Sequence, residues 1–193
     1  MAKMNYLGHL KTITKHHNLV MGYCMRAGLV WQGLTHDLSK LSPEEFLVGA
    51  RYYQGTRSPN NAEREDIGYS TAWLHHKGRN RHHWEYWCDY NNDTGEVFPH
   101  KIPYRFVVEM ICDWIGAGMV YSGEKWTEEE PLAYYEKVRA GRHFHPETEE
   151  LILRFLNCIK FSGLETFHRM ARGEHEFNYI AREYDGTELP RGY

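Results

Sequence analysis

Apolar residues recur along most of the chain at spacings of three and four, which is the period of a helix with one buried face. This pattern predicts a first helix over about residues 5–27, which Gly28 would end, and a second over about residues 30–38. The remaining helices are predicted over about residues 43–54, 63–76, 103–121, 128–140, 146–161 and 165–172, with a short helical turn at 81–89. No run of alternating β-branched residues predicts a strand. The pattern is therefore that of an all-α, single-domain helical bundle.

The third helix has a clear start signal. Ser42 is suited to the N-cap, Pro43 to the first helical position, and Glu45 completes a capping box. Towards the C-terminus the apolar pattern weakens after residue 173. We therefore expect one helical domain over residues 1–175 and a C-terminal tail over residues 176–193.

Composition narrows the function classes. Hydrophobic residues make up 41% of the chain, so a packed domain is expected rather than disorder. A net charge of −3 argues against a grip on a nucleic-acid polymer. The four cysteines form no C-x-x-C pair and are expected to be reduced thiols. With no apolar signal core and no run of membrane-spanning length, we expect a cytoplasmic protein without membrane contact.

Several charged and polar residues lie where apolar residues would be expected. Asp113 is in the middle of an apolar helix. Burying an unpaired carboxylate costs on the order of several kcal/mol. Either it points to water or a cation offsets its charge, and Arg105 or a metal are candidates. His16 shares a helical face with Ile13 and Val20. Imidazoles and carboxylates are ligands of divalent metals, so the dipeptide His36-Asp37 adds support for a metal as the partner of Asp113.

Two histidine pairs, His75-His76 and His82-His83, flank a break that contains Gly78. The break could bring one histidine of each pair to a second metal. Alternatively, one metal binds elsewhere and these four histidines line a phosphate pocket. The sequence leaves both arrangements open.

The order of these residues resembles the HD-domain superfamily of metal-dependent phosphohydrolases, over roughly residues 5–160. The residues that carry the resemblance are His16, His36-Asp37-x-x-Lys40, His76, His83 and Asp113. Local strings such as Thr35-His36-Asp37-Leu38-Ser39-Lys40 resemble a narrower group of small HD-like proteins.

The resemblance implies a first metal bound by His16, His36, Asp37 and Asp113, with positions left for water or substrate. It implies a second metal on His76 and His83, with Asp37 as the bridging ligand. The metals implied are divalent ions, one or two of them, drawn from Fe, Mn, Co, Ni, Zn or Mg.

Four other residues are assigned supporting roles. His75 and His82 would contact substrate or hold the ligands in place. Lys40 would offset phosphate charge in the transition state, and Glu85 would orient a ligand histidine. No Walker loop or Gly-x-Gly-x-x-Gly motif is present, so no residue is assigned to an organic cofactor.

The expected function is hydrolysis of a small phosphoester, for example a nucleotide, by a metal-activated water. Two alternatives remain: an HD-type di-iron oxygenase, and a non-enzymatic metal-containing binding or regulatory protein. Cleavage of cyclic dinucleotides is not supported, because Trp-Glu-Tyr-Trp follows His83 where those enzymes carry Gly-Tyr-Pro. A homodimer could form through Tyr52-Tyr53 and Tyr134-Tyr135, although core packing explains these tyrosines equally well.

Overall fold

The computed structural model describes residues 4–181, and side chains are described for residues 4–174. Within these residues the architecture is all-α, as predicted. The α-helices α1 to α8 span Tyr6–Arg26, Val30–Thr35, Pro43–Arg51, Pro59–Ile67, Thr71–Lys77, Tyr104–Ser122, Glu130–Val138 and Pro146–Ala181. Short 3-10 helices span Leu38–Leu41, Trp84–Trp87, Gly123–Lys125 and Arg139–Gly141. None of the helices in this part of the chain combines the length and apolar character needed to cross a membrane.

Helix α6 lies at the centre of the core. It is buried on nearly all sides, with Val107 and Ile111 fully inaccessible, and it packs against α1 and α8. Each such aliphatic side chain stabilises the fold by about 1.5–3 kcal/mol. Gly116 allows α1 to come close, since a Cβ there would lie 2.7 Å from Val20 Cγ2. This close packing brings His16 of α1 against the face of α6 that carries Asp113.

The segment predicted as one helix over residues 63–76 forms two helices, α4 and α5. Gly68 ends α4 with a positive φ of 86°, and the hydroxyl of Ser70 then accepts the backbone N–H of Trp73 at 3.0 Å. The second helix therefore has its own N-cap. The break separates α4 from α5, which carries His75 and His76.

The prediction of no strands was wrong over residues 88–99. Strands β1 (Cys88–Tyr90) and β2 (Val97–Pro99) form an antiparallel pair with Asp89 opposite Phe98. Three-residue strands are too short to show a periodicity of two. Asn91 organises the turn between them by accepting the N–H groups of Asp93 and Thr94.

The helices predicted over 146–161 and 165–172 are two halves of α8, separated at Gly163, whose φ is 83°. The Glu128 carboxylate accepts the N–H of Leu164 at 2.8 Å and so caps the second half. Helix α8 continues to Ala181, and the rest of the predicted tail, residues 182–193, lies outside the described residues.

Tyr135, one of the tyrosines considered for a homodimer surface, is fully buried in the core. It therefore cannot contribute to such a surface.

Candidate metal centre

The centre is built on a sharp turn that follows α2. The helix ends at Thr35, earlier than predicted, and Asp37 adopts a left-handed backbone with φ 55° and ψ 20°. It is the only non-glycine residue with positive φ among the described residues. This conformation costs roughly 1–2 kcal/mol, and such strain is typical of functional sites. Because of the turn, the consecutive side chains of His36 and Asp37 meet at one point.

The first ligand group joins His16, His36, Asp37 and Asp113, as the sequence predicted. The Nε2 atom of His16 lies 3.0 Å from Asp113 Oδ1 and 3.4 Å from Asp37 Oδ2. The Nε2 atom of His36 lies 3.3 Å from Asp37 Oδ2, 3.5 Å from Asp113 Oδ1 and 3.4 Å from His16 Nε2.

These separations suit a metal ion. With metal–ligand bonds of about 2.1 Å, neighbouring ligands lie about 3.0 Å apart in an octahedron and about 3.4 Å apart in a tetrahedron. The five separations of 3.0–3.5 Å in the first group cover this range. The four residues of this group could therefore hold one ion.

The second ligand group joins Asp37, His76, His82 and His83. The Nε2 atoms of His76 and His82 lie 3.2 and 3.3 Å from Asp37 Oδ1. Three buried atoms here have no hydrogen-bond partner: Asp37 Oδ1, His82 Nε2 and His83 Nε2. Buried polar atoms are rarely left unsatisfied, so their convergence points to a ligand that the protein atoms do not supply. The two oxygens of Asp37 thus face different ligand groups.

Two buried glutamates orient the histidines. Glu109 Oε1 lies 3.0 Å from Nδ1 of His36 and 3.0 Å from Nδ1 of His82. Glu45 Oε2 lies 2.7 Å from Nδ1 of His76. Each carboxylate accepts the outer N–H of its histidine and leaves Nε2 directed inward, which is how proteins fix metal-ligating imidazoles.

Local charges set the ionisation of the acids in the centre. Burial opposes the charge on Asp37, but His36, Lys40 and His76 hold its pKa well below the usual range. Burial also opposes the charge on Asp113, and hydrogen bonds from His16 and His36 hold its pKa well below the usual range as well. Both residues are therefore carboxylates at neutral pH, the form that binds metal.

The histidines of the second group differ in basicity. Burial, together with charge on His82 and His76, lowers the pKa of His83 well below its usual value, so its imidazole is neutral. Burial and His36 oppose protonation of His82, but Asp37 and Glu109 raise its pKa to about 9. A metal ion bound at His82 would replace that proton.

A cleft of about 960 Å³ reaches both ligand groups. Its lining includes His16 and Asp113 of the first group and His76 and His83 of the second. Lys40 also lines the cleft and forms an ion pair with Asp37. Burial opposes the charge on Lys40, but Asp37 and Asp113 raise its pKa, so the side chain remains an ammonium.

One residue lies elsewhere than the sequence analysis placed it. His82, assigned to substrate contact or support, has its Nε2 inside the second ligand group. His75, given the same role, belongs to neither group and has its Nδ1 2.7 Å from Oε1 of Glu45, the acid that also contacts His76. His83 and His76, predicted as ligands, are both in the second group.

The supporting acids were misassigned. The prediction that Glu85 orients a histidine was wrong, because its carboxylate accepts the Trp73 indole N–H at 3.2 Å. Glu45 does not complete a capping box: Ser42 makes no side-chain cap bond, and Glu45 is directed to His75 and His76. Glu109 was missed, although its position four residues before Asp113 places both acids on one face of an otherwise apolar helix.

Fold and site define an all-α protein with a buried histidine and aspartate cluster that could hold metal ions. Residues 5–158 match the profile of a family of unknown function, DUF5662, and the chain belongs to this family. No curated protein and no solved structure gives a match to the chain.

Proposed function

We propose that this protein is a metal-dependent phosphohydrolase of the HD type that acts on a small phosphoester, such as a nucleotide. The observation that carries the proposal is the double role of Asp37. Its Oδ2 faces His16 and His36, and its Oδ1 faces His76 and His82. A carboxylate shared in this way is suited to bridge two metal ions.

Unpaired cations in the cleft support a phosphorylated substrate. Five cationic side chains line the cleft, Lys40, Arg57, Arg64, Lys137 and Arg142, beside four acidic ones, Glu45, Glu85, Asp113 and Glu130. Among the described residues, Lys137 and Arg142 form no ion pair with a carboxylate, and the Arg142 guanidinium lies 4.7 Å from the centroid of the Trp114 ring. A volume of about 960 Å³ is sufficient for a small-molecule ligand.

Divalent metals bound by the two ligand groups would generate a nucleophilic hydroxide at neutral pH and neutralise charge on the phosphoryl oxygens. Lys40 would donate hydrogen bonds to a phosphoryl oxygen from the edge of the cleft, where negative charge develops during hydrolysis. Glu109 and Glu45 would keep the imidazoles oriented throughout the reaction, and the acids of the centre remain ionised at neutral pH.

The same pair of ligand groups also suits a di-iron oxygenase, the second candidate from the sequence. The unpaired cations Lys137 and Arg142 favour the phosphohydrolase, because an oxygenase requires no cation to bind its substrate. A non-enzymatic binding protein could use the same cleft, but it would hold metal without hydrolysing any phosphoester.

The test combines metal analysis with activity on wild type and matched histidine variants. We expect about two divalent metal equivalents per chain in the wild type, a loss of metal in Asp37→Ala, and a partial loss in His76→Gln. His75→Gln is the matched control, since it changes the neighbouring residue outside both groups and should retain the metal.

Activity is then measured with manganese-, iron- or cobalt-loaded protein on p-nitrophenyl phosphate and a panel of nucleoside monophosphates and sugar phosphates. Hydrolysis that disappears in Asp37→Ala supports the proposal. Full metal loading with no hydrolysis of any phosphoester overturns it, and oxygen consumption by the iron-loaded protein would then establish the oxygenase.

A further inference from the structure

A second cavity, of about 530 Å³, lies behind the metal centre. It shares no lining residue with the first cleft. His82 and Glu109, which also take part in the metal centre, line this cavity. The other lining residues are Trp31, Gln32, Thr35, Arg79, Asn80, Arg81, Arg105 and Phe106.

Three arginines converge on this cavity, and none of them pairs with a carboxylate among the described residues. The Arg79 guanidinium donates to the backbone carbonyl of His75 at 3.3 Å. Arg81 lies over the rings of Tyr86 and Phe106, at 5.7 and 5.9 Å from their centroids. Arg105 lies 4.9 Å from the centroid of the Phe106 ring. Stacking on aromatic rings holds the guanidinium planes in place but does not use their charge.

Among the residues that the structure describes, Glu109 is the only acid that lines the cavity, and it does not account for the arginines. Its Oε1 is already occupied by His36 and His82. One carboxylate against three guanidinium groups leaves an excess of positive charge. An excess of this kind in a concave site favours an anionic ligand.

We propose that this cavity binds the phosphoryl group of a small anionic molecule, at a site separate from the metal centre. Guanidinium groups bind phosphate oxygens through two parallel N–H bonds, and preorganised arginines lose little side-chain entropy on binding. The volume exceeds the needs of inorganic phosphate, so the natural ligand would be a phosphorylated small molecule. The segment 79–83, which carries two of the arginines, also carries His82 and His83. A ligand in the cavity would therefore contact the segment that supplies two residues of the second ligand group.

The experiment is calorimetric titration of the metal-loaded full chain with inorganic phosphate. Phosphate should bind at two sites in the wild type, one in each cleft. The double variant Arg81→Gln/Arg105→Gln should lose one site, with affinity there reduced about tenfold or more for each arginine removed. The control, Arg154→Gln/Arg169→Gln, removes the same charge from α8 and should keep both sites.

Arg79→Gln changes an exposed side chain and therefore provides a variant that should fold normally. It should weaken the same site about tenfold, with the melting temperature unchanged. Acetate in place of phosphate should not bind at the second cavity with comparable affinity. If Arg79→Gln and the folded double variant both bind phosphate as the wild type does, the proposal is overturned.

The Lys40→Gln variant separates this proposal from the proposed function. If Lys40→Gln loses phosphate binding in the first cleft but keeps the second site, both the phosphohydrolase proposal and the second phosphate site are supported. If Lys40→Gln binds phosphate as the wild type does while the arginine variants lose it, the phosphohydrolase proposal is weakened and the second site is supported.

Discussion

Glu109 and Asp113 lie one helical turn apart on α6 and face the two ring nitrogens of the same imidazole, that of His36. Glu109 Oε1 lies 3.0 Å from Nδ1, and Asp113 Oδ1 lies 3.5 Å from Nε2. One face of α6 thus provides both a candidate metal ligand, Asp113, and the carboxylate that orients the ligand His36, Glu109. Since α6 is almost entirely buried from Tyr104 to Gly116, the centre rests on a well-packed support.

Replacing Glu109 with Gln should weaken metal binding about 10- to 100-fold, because the carboxylate holds His36 and His82 in one orientation. Competition with a chromophoric chelator measures the affinity. Glu63→Gln is the control, since Glu63 is also buried but accepts from Ser70 and Thr71, away from the centre. Unchanged affinity in Glu109→Gln would contradict the positioning role.

The two ligand groups should be separable by mutation. His16→Gln should remove the metal of the first group, and His83→Gln that of the second, each leaving about one equivalent per chain. Elemental analysis after gel filtration gives the stoichiometry. Equal, complete loss of metal in both variants would show that the groups do not fill independently.

Lys40→Gln should leave metal content unchanged while lowering kcat on the phosphoester found in the panel by about 10²-fold. The reason is that the ammonium would contact the phosphoryl group, whereas metal is held by other residues. Lys137→Gln, which also lines the cleft, is the comparison and should raise KM more than it lowers kcat. Retention of full kcat in Lys40→Gln would exclude a catalytic role for Lys40.

Gly116→Ala should destabilise the protein by about 1–3 kcal/mol, since the new Cβ would lie 2.7 Å from Cγ2 of Val20, a stiff β-branched side chain. Urea unfolding measures the change. Gly22→Ala is the matched control on α1: nothing lies within 4 Å of its Cβ, and alanine should stabilise the helix by about 0.5–1 kcal/mol. Comparable stability of the two variants would contradict close α1–α6 packing.

His168 should make the fold sensitive to acid. Burial, with a contribution from Arg26, lowers its pKa from 6.5 to about 4, and neither ring nitrogen has a hydrogen-bond partner. Between these values the unfolded chain binds a proton that the folded chain does not. Above pH 6.5 His168 therefore does not lower the free energy of unfolding. As the pH falls from 6.5 towards 4, the free energy of unfolding decreases by up to about 1.4 kcal/mol per pH unit.

His168→Phe tests this dependence, because phenylalanine can keep the stacking on Tyr23, whose ring centroid lies 5.5 Å away. Urea unfolding at pH 7 and pH 5 should show a smaller loss of stability in the variant than in the wild type. Parallel losses in the two proteins would show that His168 does not titrate differently on unfolding.

Helical periodicity and end signals predicted most of the fold. Gly28, Pro43 and Pro103 mark real boundaries, because they act on the backbone of their immediate neighbours. The break between α4 and α5 was missed although Gly68 marks it, since apolar periodicity continued across it. The hairpin was missed because its strands are held by pairing between residues that are separate in sequence.

The sequence by itself determined the residue types of the centre, since imidazoles and carboxylates are the ligands of divalent metals. The resemblance of the sequence to the HD-domain superfamily implied that His16, His36, Asp37 and Asp113 form one group, and the structure brings them together. Only the tertiary structure decided which histidines of the two pairs face Asp37, and that Glu45 and Glu109 support them. The direction of His75 and His76 on α5, and of His82 and His83 in the segment after it, depends on the helices packed around them. A glutamate at a helix start, such as Glu45, fits a cap as well as a buried partner.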